Sequence, residues 1–322
     1  MYIWYNYGGD KSMKDKRVVF MGTPDFSVPV LEKLIENTNV VLVVTKKDAY
    51  VGRKKVLTES PVAICAHEHN IEVYKPNKLK EDYEYILNKK PDIIITCAYG
   101  SIVPKVVLDY PSYGCINVHA SLLPKYRGAS PIVASILNGE KETGITIMYM
   151  DEGIDTGNII MSRSIEIEDN DNSLSLSNKL SLLGANLLID TLPKIFEGEN
   201  FDIPQDNEEA TYVGMLKRED EHIDFNNSVE NIKNQVRAFS PEPYAFINID
   251  DTEYKISEVE IKKCDVSKIG IIVEVNKDSF GITAKDGIVY IKRIKTSGKK
   301  EMSVKDFFNG FDKISLLNKK VD

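Results

Sequence analysis

The chain has 322 residues, 42% hydrophobic and 28% charged, with a net charge of −8. That length can build two domains with separate cores, and the composition is ordinary for a globular protein. No apolar run approaches the ~20 residues that span a bilayer, and Met1–Ser12 lacks the apolar stretch of a secretory signal, so a cytoplasmic protein without membrane association is expected.

Residues 1–15 are set aside as an extension, with Met13 an alternative start. From there to about residue 198 the pattern alternates in the βαβ manner. Strands are predicted at Arg17–Met21, Val40–Thr45, Ile71–Lys75, Asp92–Cys97, Cys115–His119 and Ile145–Met150. Most are unbroken aliphatic runs, as in parallel strands buried on both faces. Helices are predicted at Ser27–Glu36, Pro61–His69, Asp82–Asn88, Ser130–Leu137 and Leu174–Phe196, with Pro193 expected to kink or end the last. The fold class is α/β, a Rossmann-like doubly wound parallel sheet. Its first strand-to-helix turn, Gly22-Thr23-Pro24-Asp25-Phe26, lacks the glycine spacing that admits a pyrophosphate, which speaks against NAD or FAD.

Chemistry concentrates in Asn117-Val118-His119. The period of two in a strand puts Asn117 and His119 on one face and turns Ile116 and Val118 into a core. A neutral amide donor beside an imidazole at a strand end is a small acid–base and oxyanion-stabilising unit. Downstream, Asp151-Glu152-Gly153-Ile154-Asp155-Thr156-Gly157 reads as a tight acidic loop. A carboxylate from it would orient His119 and stabilise the charged ring. Composition does not choose among Asp151, Glu152 and Asp155, although Asp155 stands between two glycines where the backbone turns sharply. In open α/β sheets ligands bind outside the carboxyl ends of the strands. Asn117, His119, Asp155 and the Cys97-Ala98-Tyr99-Gly100 turn are all expected there. Cys65, Cys97, Cys115 and Cys264 form no paired motif, and the first three read as small core residues. His67 and His69, two apart on a helix, do not share a face. No metal site is expected.

A polar stretch punctuated by Gly198, Pro204 and Gly214 reads as a linker over 199–218. After it come a helix at Ser228–Phe239 and short strands at Ala245–Ile249, Tyr254–Val259, Gly270–Asn276, Phe280–Thr283 and Ile288–Ile294, a spacing that suggests a small barrel over 219–322. Residues 221–322 are charge-balanced, so the acidic excess belongs to the earlier part. Within the balanced part Lys292, Arg293, Lys295, Lys299 and Lys300 cluster with no acid between them. A solvated face and a nucleic-acid surface are both open readings of that cluster.

The pair N-V-H-x-S-L-L-P-x-x-R-G and M-D-x-G-x-D-T-G resembles the folate-dependent formyltransferases. Gly22–Phe26 and the run Ser297–Ser303 point within that family to the branch acting on methionyl-tRNA. The resemblance spans about Lys16 to Phe311. It implies Asn117, His119 and Asp155 as a catalytic trio. It implies that Ser121, Leu122, Leu123 and Pro124 line a tetrahydrofolate site, with Tyr99, Gly100 and the residues to Pro104 in the pterin wall. It implies 10-formyltetrahydrofolate as donor, charged initiator tRNA as acceptor, an OB-like C-terminal barrel binding the tRNA, a catalytic part at 16–198, and a monomer. The family's loop at Gly52-Arg53-Lys54-Lys55 would meet the acceptor stem through Arg53, aided by Lys54 and Lys55. Upstream of it, Lys46-Lys47-Asp48-Ala49-Tyr50-Val51 departs from the family pattern in lacking two prolines. Rival readings are a sugar-nucleotide N-formyltransferase, the hydrolase half of a folate dehydrogenase, and a noncatalytic folate or RNA binder. A binder would need neither His119 nor Asp155.

Overall fold

The structure, a computed structural model, describes residues 13–52, 54–199 and 201–322. Arg53 and residues 1–12 of the expected extension lie outside the described residues. Contacts group the chain into two units. One comprises residues through Gly128 with Gly144–Ser164 and Asn178–Tyr212; the other comprises Ala129–Thr143, Ile165–Ser177 and Val213–Asp322.

The strands in chain order are β1 Arg17–Gly22, β2 Asn39–Val44, β3 Ala49–Val51, β4 Val56–Thr58, β5 Val73–Tyr74, β6 Ile93–Cys97, β7 Cys115–His119, β8 Arg127–Gly128, β9 Glu142–Tyr149, β10 Ile159–Glu166, β11 Tyr212–Val213, β12 Ala245–Ile249, β13 Thr252–Lys263, β14 Ile272–Val275, β15 Phe280–Ala284, β16 Gly287–Thr296 and β17 Met302–Ser303. The helices are α1 Val28–Asn37, α2 Pro61–Glu68, α3 Leu79–Asp82, α4 Glu84–Leu87, α5 Lys105–Leu108, α6 Pro131–Leu137, α7 Ser173–Glu197, α8 Val229–Ala238 and α9 Val304–Phe307.

The first unit is built on a sheet of order β10-β9-β7-β6-β1-β2-β5. β1 pairs in parallel with β2 and β6, and β6 with β7. These central strands are buried on both faces, which is why they are aliphatic without alternation. The last position of β1 is glycine, Gly22, where a Cβ would meet Phe20, Ser27 and the Cys97 carbonyl at 2.8 to 3.0 Å. Helix α2 starts at Ser60, whose Oγ accepts from the Ala63 amide at 3.1 Å, and Pro61 needs no donor in the first turn.

Three sequence expectations are corrected. The strand at 142–149 is not parallel to its neighbour: β9 runs antiparallel to β7, with His119 opposite Thr146 and Asn117 opposite Met148. The connection after His119 returns to the end of the sheet it left, so the next strand runs back down. The loop holding Asp155 therefore does not follow the carboxyl end of a parallel strand. Helix α7 does not end at Pro193 but continues to Glu197; so close to a helix C-terminus the proline removes one hydrogen bond and breaks nothing else. The predicted helix 82–88 is two single turns, α3 and α4, meeting at Tyr83.

The second unit carries an antiparallel sheet of order β12-β13-β16-β15-β14, with β17 on β16. Ser228 caps α8 through its Oγ, and Val229, Ile232 and Val236 face one way at helical spacing. They pack with Ile247, Ile256, Ile282, Val289 and Ile291 into one core, against which Val133 and Leu137 of α6 also lie. The stretch expected to be a linker divides between the units at Tyr212 and Val213.

Candidate active site

Strand β7 delivers Asn117 and His119 to one face, while Ile116 and Val118 are buried on the other. Val118 closes against Gly184 of α7, where a Cβ would come within 2.9 Å of it. The Thr96 hydroxyl on neighbouring β6 donates to Asn117 Oδ1 at 2.8 Å. A carboxylate only accepts, so the amide end 3.5 Å from Asp155 Oδ1 is Nδ2, the outward donor.

The His119 ring is buried, with Nε2 3.0 Å from the Tyr126 carbonyl and Nδ1 3.6 Å from Asp155 Oδ2. Both ring nitrogens thus face acceptor oxygens, and a nitrogen that carries a proton can donate to the oxygen beside it. Tyr126 is itself held in place. Its amide donates to Thr211 Oγ1 at 2.8 Å, and the Arg127 amide to the Thr211 carbonyl at 2.9 Å. Thr146 braces the start of the same loop, donating to the Ser121 carbonyl at 2.7 Å and accepting from the Leu123 amide at 3.2 Å.

Asp155 arrives on a loop that folds back toward β7. Gly157 permits this, since a Cβ there would lie 2.0 Å from the Tyr149 carbonyl oxygen. Asp155 has φ of 53°, a left-handed conformation that aspartate tolerates better than most residues. Its Oδ2 accepts from the Gly128 amide at 2.8 Å. Of the three acids left open by composition, Asp155 is the one beside His119. Asp151 ties its own turn, accepting from the Gly153 amide at 3.0 Å and the Thr156 hydroxyl at 2.6 Å. Glu152 is exposed and 3.4 Å from Lys105.

The residues expected around a folate divide in kind. Ser121 is fully buried and donates to the Lys125 carbonyl at 2.6 Å; Leu123 is buried; Leu122 and Pro124 are half-buried. The Tyr99 ring sits in a core with Leu79, Val103 and Val107, and burial pushes its hydroxyl up to about 12. Gly100 is exposed with φ of 70°, and a side chain there would strike Lys46 Nζ. Nearby Ile102 is 92% exposed.

Lys54 and Lys55 are exposed at the tip of the β3–β4 hairpin, beside Arg53, which lies outside the described residues. The five basic residues 292–300 do not form one free patch. Lys292 lies 3.1 Å from Asp278 and 3.7 Å from Glu260. Arg293 donates to Glu301 at 2.5 Å. Lys295 sits 4.9 Å from the centre of the Tyr244 ring. Among the described residues Lys299 and Lys300 form no ion pair. Also among the described residues, no group of three or more His, Cys, Asp or Glu is placed to hold a metal ion, and no helix is long and apolar enough to cross a membrane.

Sequence reasoning missed Thr96, the Tyr126 carbonyl, Thr211 and Gln205. Thr96 had a signal, as the one hydroxyl in the buried run Ile93–Cys97. The others had none, because they act on partners 7 to 85 residues away in the chain.

An amide, an imidazole and a carboxylate thus converge at the end of a buried strand, on the parallel-dominated sheet of an α/β scaffold with no dinucleotide turn. Residues 16–192 match the formyl transferase family and residues 215–312 match the formyl transferase C-terminal domain. The chain belongs to the formyl transferase family. It is 45% identical over 309 residues to a methionyl-tRNA formyltransferase of Staphylococcus aureus, covering 95% of this chain and 99% of that one. Among solved structures, an N-formyltransferase of Helicobacter canadensis in complex with folinic acid and dTDP-3-aminofucose is 26% identical. It has a TM-score of 0.61 and covers 86% of this chain and 98% of its own. A methionyl-tRNA formyltransferase of Clostridium thermocellum shares the fold at 20% identity, with a TM-score of 0.54 over 77% of this chain and 94% of its own.

Proposed function

We propose that the chain transfers the formyl group of 10-formyltetrahydrofolate to the α-amine of methionyl initiator tRNA, giving the N-formylated form used to start translation. The observation that carries this is the full-length likeness to the Staphylococcus aureus enzyme, which takes in the catalytic and the C-terminal parts alike. The clustered Asn117, His119 and Asp155 support it from the side of chemistry.

The amine attacks the formyl carbon, a C–N bond forms and the carbonyl oxygen becomes an oxyanion. The bond from that carbon to N10 of the folate then breaks; the amine loses a proton and N10 gains one. Asn117 Nδ2 is the oxyanion donor, oriented by Thr96. His119 supports the same oxygen from the same strand face, and loss of an oxyanion donor costs about 3 kcal/mol. Asp155 holds His119 and, through water, helps take the proton from the amine. The steps need no metal.

The folate reading rests on the exposed turn at Gly100–Ile102 and on the half-buried Leu122 and Pro124, with Ser121, Leu123 and the Tyr99 ring as the braces behind them. For the tRNA, Lys54 and Lys55 at the hairpin tip, Arg53 next to them in sequence, and the lysines of 292–300 supply positive charge. A catalytic part at 16–198, a connection at 199–218, a tRNA-binding part at 219–322, a cytoplasmic location and a monomeric state complete this reading.

The sugar-nucleotide alternative has one observation in its favour, the likeness to the Helicobacter canadensis enzyme. The test is a formylation assay with 10-formyltetrahydrofolate, offering charged initiator tRNA and a panel of amino-sugar nucleotides. Turnover of an amino sugar but not of the tRNA would reverse the assignment.

A further inference from the structure

Gln205 lies in the polar stretch that composition reads as a connection, yet its side chain joins two parts of the site. Its Nε2 donates to two backbone carbonyls of the acidic loop, Asp155 at 2.8 Å and Gly157 at 2.7 Å. Its Oε1 accepts from Arg127, from Nε at 3.0 Å and Nη2 at 2.8 Å. Arg127 is 1% exposed. Its remaining bonds go to the Tyr212 hydroxyl and Asn207 Oδ1, both at 2.9 Å, and among the described residues it forms no ion pair. This buried guanidinium has only neutral partners, and its hydrogen bonds, with the Tyr212 ring centre 5.7 Å from Cζ, set its position.

We propose that Gln205 is a positioning residue for the reaction. It clamps the Asp155–Gly157 backbone to the Arg127–Gly128 strand, so that the Asp155 carboxylate stands at once against the Gly128 amide and His119. Three observations converge on this. The loop backbone is in a left-handed conformation at Asp155, which external bonds help to hold. The Asp155 carbonyl is taken by Gln205 while its carboxylate is taken by Gly128. Gln205 itself is anchored by the neighbouring bridge between Ile203 and Ile159, with both backbone bonds at 2.8 Å. The inference rests on the formyl-transfer reading above.

The experiment compares wild type, Gln205→Glu and Gln205→Leu in the formylation assay. Wild-type turnover tests the function first, so failure of that reading and failure of this one are distinguishable. Gln205→Glu keeps an acceptor for Arg127 and removes the donor to the loop; Gln205→Leu removes both. For Gln205→Glu, kcat should fall roughly 10- to 100-fold, the scale of a misplaced catalytic group. Its KM for folate and for tRNA should stay within about twofold of wild type, since loss confined to kcat marks a contact needed only in the transition state. In an Asp155→Asn background, where residual turnover is read in single-turnover mode, adding Gln205→Glu should cost less than about threefold, because residues acting as one unit are not additive. Should Gln205→Leu fail to fold, Gln205→Glu decides alone. A kcat near wild type in Gln205→Glu, a loss expressed in KM, or a multiplicative loss in the double variant would each overturn the proposal.

Discussion

Asn117, His119 and Asp155 are each fixed by a bond to a group that does no chemistry: the Thr96 hydroxyl, the Tyr126 carbonyl and the Gly128 amide. Preorganisation of this kind gives an oxyanion donor its effect, since no reorganisation remains when charge develops. Asn117→Ala and His119→Ala should each lower kcat roughly a hundredfold or more while leaving the fold intact. Near-normal turnover of either would remove that residue from the mechanism. Asp155→Asn should be as damaging, whereas Asp151→Asn, which only loosens its own turn, should be mild; the reverse order would mean the wrong carboxylate has been assigned. Thr96→Val tests the orienting bond. It deletes one buried donor, so stability should drop by only about 1 kcal/mol, but kcat should fall by about tenfold as Asn117 loses its fixed orientation. Thermal melts and initial rates on the same preparation separate the two effects.

Strand β16 shows how an element changes the meaning of its residues. Read along the chain, Lys292 to Lys300 holds five basic residues with no acid between them. In the sheet the neighbouring strands and turns bring Glu260, Asp278 and Glu301 beside Lys292 and Arg293, so much of that charge is already answered. Phosphate contacts act through counterion release and are read in the salt dependence of binding. Replacing Lys295, Lys299 and Lys300 together by Ala should therefore flatten the salt dependence of tRNA binding more than replacing Lys292 and Arg293. Equal slopes for the two variants and wild type would leave the run as a solvated face. The same sheet has a pH signature. Burial pushes the Glu301 carboxyl up, but hydrogen bonds from Arg293 and Tyr244 and the guanidinium charge outweigh it and hold the carboxyl below its ordinary range. A depressed carboxylate adds stability above its unfolded pKa and loses that contribution as pH falls through the folded value. Glu301→Gln should thus destabilise the protein at neutral pH, and the deficit should shrink on acidification. Denaturant midpoints of the two proteins at neutral and acidic pH check the sign.

At the scale of the whole molecule the chain is not divided by a single cut. Residues 129–143 and 165–177 belong to the unit that holds the C-terminal sheet. Val133 and Leu137 of α6 pack on its core, and Arg237 donates to the carbonyls of Glu168, Asp169 and Asp171 at 3.0 to 3.1 Å. A protein truncated after Tyr212 would keep every residue of the trio and of the folate turns, but would leave α6 without its apolar partners. It should aggregate or melt well below the intact chain, and weak folate binding in it should be rescued by Val133→Ser with Leu137→Ser. A well-folded truncation with full folate affinity would show that the two segments need no partner.

The sequence by itself determined a great deal. Short unbroken aliphatic runs point to strands buried on both faces, a period of two places Asn117 beside His119, and the missing glycines speak against a dinucleotide. These are local rules, enforced within a few residues by sterics and solvation. What it left open required contacts between distant positions. The direction of β9 followed from where the connection after His119 returned. The choice of Asp155 over Asp151 followed from which carboxylate reached the Gly128 amide. The neutralisation of Lys292 and Arg293, and the clamp made by Gln205, arise only once strands far apart in the chain lie side by side, because hydrogen bonds and ion pairs are set by distance in space.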